Sequence, residues 1–138
     1  MLFRKMPLPV PVLFAVALSL SDAKAYLHSI KPLFETVAEP SLVVHRLNVK
    51  GVPLILQYKI LGQYDGETNT ITITDSTLKR GRIDEMQNTL IHEMTHAWID
   101  ANKVRDQGDH GPAFQKKYRE VCEKLGRKPK DKLGGMGW

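Results

Sequence analysis

Hydrophobic residues recur at two different spacings in the first third of the chain. From Ser21 to residue 37 they follow the three-and-four spacing of a helix, which Ser21 is predicted to cap and Pro32 to kink or split. Over residues 42–49 they alternate with a period of two, which predicts a strand with His45 on its apolar face. We therefore expect a scaffold helix followed by a strand.

A hairpin is predicted next along the chain. Residues 54–61 form a second apolar run, and the Asp65-Gly66 pair favours a two-residue turn. After that turn, isoleucines and threonines alternate over residues 68–74, as expected of a third strand. The middle of the chain is therefore predicted to be a small antiparallel sheet of about three strands.

Two further helices are indicated by their end signals. Asp84 and Gln87 have the spacing of a capping box and predict the start of a helix that runs to about Asn102. Pro112 and Gly126 stand where the first and the just-past-last residues of the next helix are expected. The fold class predicted for residues 1–138 is a single α+β domain with three helices beside the sheet.

The motif His92-Glu93-Met94-Thr95-His96 lies inside the second predicted helix and has the form HExxH. Residues four apart share one helical face, so both imidazoles can reach one metal ion, with the apolar residues predicted on the opposite face. Glu93 flanks the pair and is positioned to act on a water molecule rather than on the metal. This pattern predicts a zinc site with Glu93 as its acid and base.

A catalytic zinc site needs a third protein ligand and one open position. His110 is the leading candidate, because it ends a polar loop beside the start of the next helix and imidazole suits zinc. Asp109, Glu120 and Glu123 remain alternatives, and a purely structural zinc with a fourth protein ligand is the competing kind of site. The metzincin pattern is excluded, because Ile99 and Asn102 occupy its glycine and histidine positions.

The cysteine content and the distribution of charge limit which other kinds of site the chain can form. Cys122 is the only cysteine, which excludes a disulfide framework and a metal site built on a cysteine pair. The formal net charge of +5 comes entirely from residues 116–138. Such a basic end can attract nucleic acid or an anionic membrane surface, although a solvated helix face is an equal explanation. The candidate nucleic-acid contacts are Lys116, Lys117, Arg119, Lys124, Arg127, Lys128, Lys130 and Lys132.

The two ends of the chain have their own composition. Residues 1–20 hold an apolar run after Arg4 and Lys5, which resembles a secretory signal but is too short to span a bilayer. Prolines interrupt that run, so a cytoplasmic location is expected, with a secreted or periplasmic protein as the alternative if residues 1–25 are a cleaved signal. Residues 126–138 are predicted to be a basic, glycine-rich flexible tail.

The run TLIHEMTHAW from Thr89, followed by DHGPAF from Asp109, resembles the SprT-like metallopeptidases, the group that includes Spartan. The resemblance covers about residues 55–125. It implies a zincin-like fold with one zinc per chain, His92, His96 and His110 as ligands, and Glu93 as the catalytic acid and base. Spartan-type members cleave proteins crosslinked to DNA, but the chain lacks the cysteines for the C-terminal zinc ribbon that many members carry.

The sequence therefore predicts a monomeric zinc metalloendopeptidase that hydrolyses protein substrates. The resemblance to Spartan-type members implies that proteins bound or crosslinked to DNA are one candidate class of substrate. A peptide held along the edge of the strand at residues 68–74 would make its cleavage weakly selective for sequence. The alternatives are a nucleic-acid-binding module stabilised by zinc and an exported zinc peptidase.

Overall fold

Three α-helices, a short 3-10 helix and three strands make up the part of the chain that the structure, a computed structural model, describes: residues 18–45, 62–75, 78 and 83–129. The α+β class is as predicted. Three predicted features lie outside the described residues. They are the second strand at 54–61, most of the signal-like segment (residues 1–17), and the end of the tail (residues 130–138). In chain order the elements are α1 (Leu20–Ile30), the 3-10 helix (Lys31–Leu33), β1 (Ser41–His45), β2 (Gly62–Asp65), β3 (Thr70–Thr74), α2 (Ile83–Ala101) and α3 (Pro112–Lys124).

The N-cap of the first helix lies two residues before the predicted one. Ser19, not Ser21, is the N-cap: its hydroxyl accepts from Asp22 N at 3.1 Å, and its own N–H donates to the Asp22 carboxylate at 2.7 Å. This reciprocal capping box satisfies two backbone donors of the first turn. Pro32 splits the apolar stripe as expected, because α1 ends at Ile30 and continues as the 3-10 helix.

The sheet is mixed rather than antiparallel, with the strand order β1-β3-β2. β2 pairs with β3 in antiparallel register, whereas β1 runs parallel to β3 on its other side. The hairpin is local, so its antiparallel pairing follows from the turn. The direction of β1 relative to β3 is not local, so no periodicity in the sequence determines it.

The facing of β1 and the length of the hairpin loop also differ from prediction. Leu42 is buried, whereas Val43 is 43% exposed and His45 is exposed, so the other alternating set faces the core. Residues 42–44 are all apolar, and a one-residue change of register exchanges the two faces of a strand. The loop between Asp65 and Thr70 has four residues instead of two.

Helix α2 packs against α1, α3, β2 and β3 and is buried on most of its surface. Met86, Leu90, Met94 and Ala97 lie in the core as predicted. His92 on the opposite face, and Ile91 and Glu93 on the two flanks of this stripe, are also buried. α2 extends to Ala101, within one residue of the predicted end. Among the described residues, no helix has the length and apolar character needed to cross a membrane.

Of the end signals predicted for the last two helices, those of α3 are confirmed and the capping box of α2 is wrong. Asp84 lies inside the first turn of α2 rather than at its cap, and both Asp84 and Gln87 accept hydrogen bonds from Arg127 instead of forming a capping box. Pro112 is the first residue of α3, and Gly126 follows its end with φ of 68°. The predicted bounds of α3 are confirmed.

Candidate metal centre

Three imidazole rings meet where α2 faces the loop that precedes α3. His92 and His96 lie one turn apart on α2, and His110 comes from the loop. The Nε2 atoms of His92 and His96 are 3.2 Å apart, and that of His110 lies 3.1 Å from His96 and 3.2 Å from His92. The three ring nitrogens therefore form a nearly equilateral triangle.

The size of this triangle matches a tetrahedral metal site. A zinc ion about 2.0–2.1 Å from each imidazole nitrogen requires nitrogens roughly 3.3 Å apart. Within the described residues, these three histidines are the group of potential ligands that could hold a metal ion. Asp109, Glu120 and Glu123, the alternative third ligands, are not part of this group.

The environment of the rings keeps them neutral. Burial, reinforced by the neighbouring His96 and His110, lowers the pKa of His92 to about 2. Burial likewise lowers the pKa of His96 to about 4 and lowers that of His110. Neutral imidazole is the form that binds a metal, so the cluster needs no proton loss at neutral pH.

The aromatic ring of Phe114 supports all three imidazoles. Its centroid lies 4.9 Å from that of His92, 4.6 Å from that of His96 and 4.9 Å from that of His110. Phe114 is fully buried in the first turn of α3. A rigid apolar ring at this position limits the rotamers of the imidazoles and excludes water from one side of the cluster.

Glu93 lies between the histidine cluster and strand β2. It is buried, and burial raises the pKa of its carboxyl to about 8. A cavity of about 430 Å³ adjoins it, bounded by residues of β2 on one side and of α2 on the other. The residues on these two walls include Gly62, Gln63, Tyr64, Glu93, His96 and Ile99.

Gly62 is a site residue that the sequence patterns did not indicate. A Cβ atom at this position would lie 2.6 Å from Thr89 Cγ2 and 3.2 Å from Glu93 Oε2. The absence of a side chain therefore lets β2 approach α2 beside the carboxylate. The signal in the sequence was a lone glycine before the hairpin, which is common in turns and specified no partner.

Burial and pairing remove two residues from the predicted basic surface. Lys117 is only 4% exposed, and its Nζ lies 2.6 Å from Glu35 Oε1 and 4.8 Å from the centre of the Trp98 ring. Arg127 donates to Gln87 at 2.7 Å and to Asp84 at 2.8 Å. Lys116, Lys124 and Lys128 are exposed, Arg119 is half-buried, and Lys130 and Lys132 lie outside the described residues.

The other histidines and the cysteine lie away from the cluster. His28 is exposed, and its Nδ1 lies 2.6 Å from Glu39 Oε1. His45 is exposed as well, which corrects its predicted place on the apolar face of β1. Cys122 is fully buried in the hydrophobic core.

Comparison with known proteins identifies the family. No curated protein and no solved structure compared with the chain matches it significantly. The family model of the SprT-like family matches residues 35–132, a segment that includes the three histidines, Glu93 and Phe114. The chain therefore belongs to the SprT-like family.

Proposed function

We propose that this protein is a zinc-dependent metallopeptidase that hydrolyses peptide bonds of protein substrates. The observation that carries the proposal is the triangle of three Nε2 atoms, with Glu93 next to His92 in sequence and beside His96 on the wall of the same cavity. Membership of the SprT-like family is consistent with this activity.

The donor set suits zinc in a catalytic rather than a structural role. His92, His96 and His110 would hold the ion through nitrogen, which zinc accepts readily, and none of them needs to lose a proton. Zinc held by three protein ligands supplies Lewis acidity and lowers the pKa of a water molecule toward about 7. The chain's own groups must then position the substrate and move the protons.

Glu93 is the group positioned to move them. Burial alone disfavours the ionised form of Glu93, but a cation held by the three histidines would favour it. In the proposed reaction the Glu93 carboxylate then takes a proton from the attacking water, whose oxygen bonds to the substrate's carbonyl carbon. Glu93 then returns that proton to the nitrogen of the leaving amine as the C–N bond breaks. Burial beside Gly62 holds the carboxylate at the cavity wall and keeps bulk water away from it.

The structure corrects the strand proposed to hold the substrate. β3 (Thr70–Thr74) is the central strand and is paired on both sides, so it has no open edge. Within the described part of the chain, β2 pairs only with β3, and three of its residues border the cavity. We therefore assign the substrate backbone to the edge of β2, where an extended peptide would add as a further strand.

Binding of DNA is a separate proposal that now rests on fewer residues. The exposed Lys116, Lys124 and Lys128 are its remaining clear candidates. Replacing all three with Gln is expected to weaken DNA binding and to reduce its dependence on salt, since each phosphate contact releases counterions. Lys117→Met is the matched control, because Lys117 is buried against Glu35. Equal DNA affinity in the triple variant and the wild type would overturn this proposal.

The peptidase proposal is tested by Glu93→Gln. Digestion of casein or histone by the purified, zinc-loaded chain is expected to fall by at least about 100-fold, the usual contribution of general acid–base catalysis. Zinc content and the circular dichroism spectrum should remain those of the wild type. Glu123→Gln, an exposed carboxylate of α3, is the matched control and should digest normally. Undiminished digestion by Glu93→Gln would remove Glu93 from the mechanism.

A further inference from the structure

The third member of the histidine cluster depends on a loop, unlike the other two. His92 and His96 are held at a fixed spacing by the backbone hydrogen bonds of α2. His110 lies in the connection between α2 and α3, and a free loop would lose conformational entropy on binding a metal. Some other contact must therefore hold His110 at 3.1–3.2 Å from its neighbours.

Asp106 supplies such a contact from within the same loop. Its Oδ1 accepts hydrogen bonds from the N–H groups of Gln107 and Ala113, both at 3.0 Å, and its Oδ2 accepts one from Phe114 N at 2.8 Å. The carboxylate thus joins the loop before His110 to the helix after it. His110 lies inside the closed segment that these bonds define.

The start of α3 has no capping group of its own, which is why it needs this carboxylate. Gly111 is the N-cap and has no side chain, and Pro112 at the first position has no N–H. Ala113 and Phe114 therefore carry the first free donors of the helix, and Asp106 accepts from both. Its negative charge is also favourable at a helix N-terminus.

Gly111 makes this arrangement possible. A Cβ atom at Gly111 would overlap the Asp106 carboxylate and would lie 2.6 Å from the carbonyl oxygen of Gln107. The residue directly after His110 must therefore be a glycine for the loop to close on Asp106. On the other side, Gln115 Nε2 donates to the carbonyl oxygen of His110 at 3.0 Å.

The same contact reaches the other two histidines through Phe114. Asp106 holds the backbone N–H of Phe114, and the Phe114 ring packs on all three imidazoles. One carboxylate therefore restrains both the loop that carries His110 and the ring that supports the cluster. Asp106 itself offers no atom to the three-nitrogen group.

The geometry points to Asp106 as the positioning residue of the metal site, which presets the His110 loop so that its imidazole is in place before an ion binds. The inference rests on the proposed function in so far as the ion is zinc. It predicts that loss of the Asp106 carboxylate weakens metal binding although no ligand is removed. Groups that hydrogen-bond a metal ligand directly typically change metal affinity by about 10- to 100-fold, and we expect an effect in this range from Asp106 although it acts through the backbone.

The test measures metal affinity of the full chain by competition with a chelator, and the visible spectrum of the cobalt(II)-loaded protein. Asp106→Ala is expected to bind zinc about 10- to 100-fold more weakly and to change the cobalt spectrum toward that of His110→Ala. Asp106→Asn keeps one carbonyl oxygen as an acceptor and should be intermediate. Asp109→Asn removes an exposed carboxylate next to His110, and it should bind zinc as the wild type does if position rather than charge is responsible.

Unfolding of the metal-free variants measures how much Asp106 stabilises the fold. Comparing that stability with the zinc affinity distinguishes a residue that positions His110 from one that only stabilises the protein. Wild-type zinc affinity in Asp106→Ala, measured where the protein is folded, would overturn the inference even if the variant unfolds more easily. If Asp109→Asn loses as much zinc affinity as Asp106→Ala, the inference is also overturned, because negative charge near His110 would then explain both losses. Weakened zinc binding in Asp106→Ala, together with a wild type that digests no protein, would support the inference and refute the proposed function.

Discussion

At the scale of single residues, the contact between β2 and α2 depends on Gly62. The closest atom to an added Cβ is Cγ2 of Thr89, which is buried, and the next is the carboxylate of Glu93. A buried β-branched side chain has little freedom to move aside. Any larger residue at this position must therefore shift the strand away from the helix or displace Glu93.

We expect Gly62→Ala to lower the free energy of unfolding by about 1–3 kcal/mol, the usual cost of overpacking, and to reduce peptidase activity. Urea unfolding and casein digestion measure the two effects. Adding Thr89→Ser removes the obstructing methyl group and should restore part of the stability. Gly66→Ala is the control, because its added Cβ would meet only the carboxyl end of the exposed Asp100. Equal losses at both glycines would contradict the packing argument.

A second residue-scale feature is the pairing of buried Lys117 with Glu35, whose side chain is 64% exposed. The hydrogen bond from Lys117 lowers the pKa of the Glu35 carboxyl below its ordinary value. A carboxyl whose pKa is lower in the folded state contributes stability above its unfolded pKa and loses it as the pH falls through the folded value. The pair should therefore stabilise the protein at neutral pH and not in acid.

Glu35→Gln is expected to destabilise the protein by about 1 kcal/mol or less at pH 7, since water screens the exposed carboxylate. The gap from the wild type should close as the pH falls through the lowered pKa of Glu35, because the carboxyl then becomes protonated. Urea unfolding at a series of pH values measures the gap. In a Lys117→Met background, Glu35→Gln should have a much smaller effect at pH 7, because the hydrogen bond from Lys117 is the largest cause of the lowered pKa. A gap independent of pH would show that the pair contributes no charge interaction.

At the scale of elements, α2 and α3 end in the same hydrogen-bond pattern with different residues at its left-handed position. After α2, Lys103 N donates to Asp100 O and Val104 N to Ile99 O, with Lys103 at φ of 51°. After α3, Gly126 N donates to Glu123 O and Arg127 N to Cys122 O, with Gly126 at φ of 68°. Both are Schellman motifs, in which glycine is normally favoured.

The two ends should therefore respond to substitution in opposite directions. Gly126→Ala is expected to lower the free energy of unfolding by roughly 1 kcal/mol, because a Cβ strains the left-handed conformation. Lys103→Gly should raise it by about 0.5–1 kcal/mol for the same reason. Thermal or urea unfolding of the two variants measures both changes in the free energy of unfolding. If Lys103→Gly is instead destabilising, the side chain of Lys103 contributes more than the strain costs.

At the scale of the whole molecule, a metal ion at the candidate centre would add a further link between α2 and the start of α3, which already pack against each other. Two ligands belong to α2, which packs against the sheet and α1, and the third precedes α3. An ion held by all three therefore links α3 to the rest of the core. A ligand that binds only the folded state stabilises it by mass action.

Zinc at about 100 times its dissociation constant should add roughly 2.7 kcal/mol to the free energy of unfolding, and a chelator should remove that increment. Thermal unfolding with zinc and with chelator measures it. His110→Ala should lose most of the difference, whereas His28→Ala, an exposed histidine paired with Glu39, should keep it. No difference between the zinc and chelator curves of the wild type would argue against binding at this cluster.

Sequence patterns predicted the structure correctly where only neighbouring residues determine it. The bounds of α3 follow from Pro112, whose ring fixes φ and removes the N–H, and from Gly126, which accepts the left-handed conformation at low cost. The split after α1 follows from Pro32. The grouping of His92 with His96 needs only the pitch of a helix. His110 was ranked first for its loop and its chemistry, and the structure places it within 3.2 Å of both.

Only the tertiary structure decided features that depend on distant parts of the chain. The parallel direction of β1, the place of β2 at an edge of the sheet that the described residues form, and the approach of Gly62 to Glu93 all require contacts between separate elements. Burial of Lys117 against Glu35 and Trp98 likewise cannot be inferred from its charge. Periodicity and caps are properties of neighbours along the chain, whereas register, strand order and burial depend on which distant side chains exclude water together.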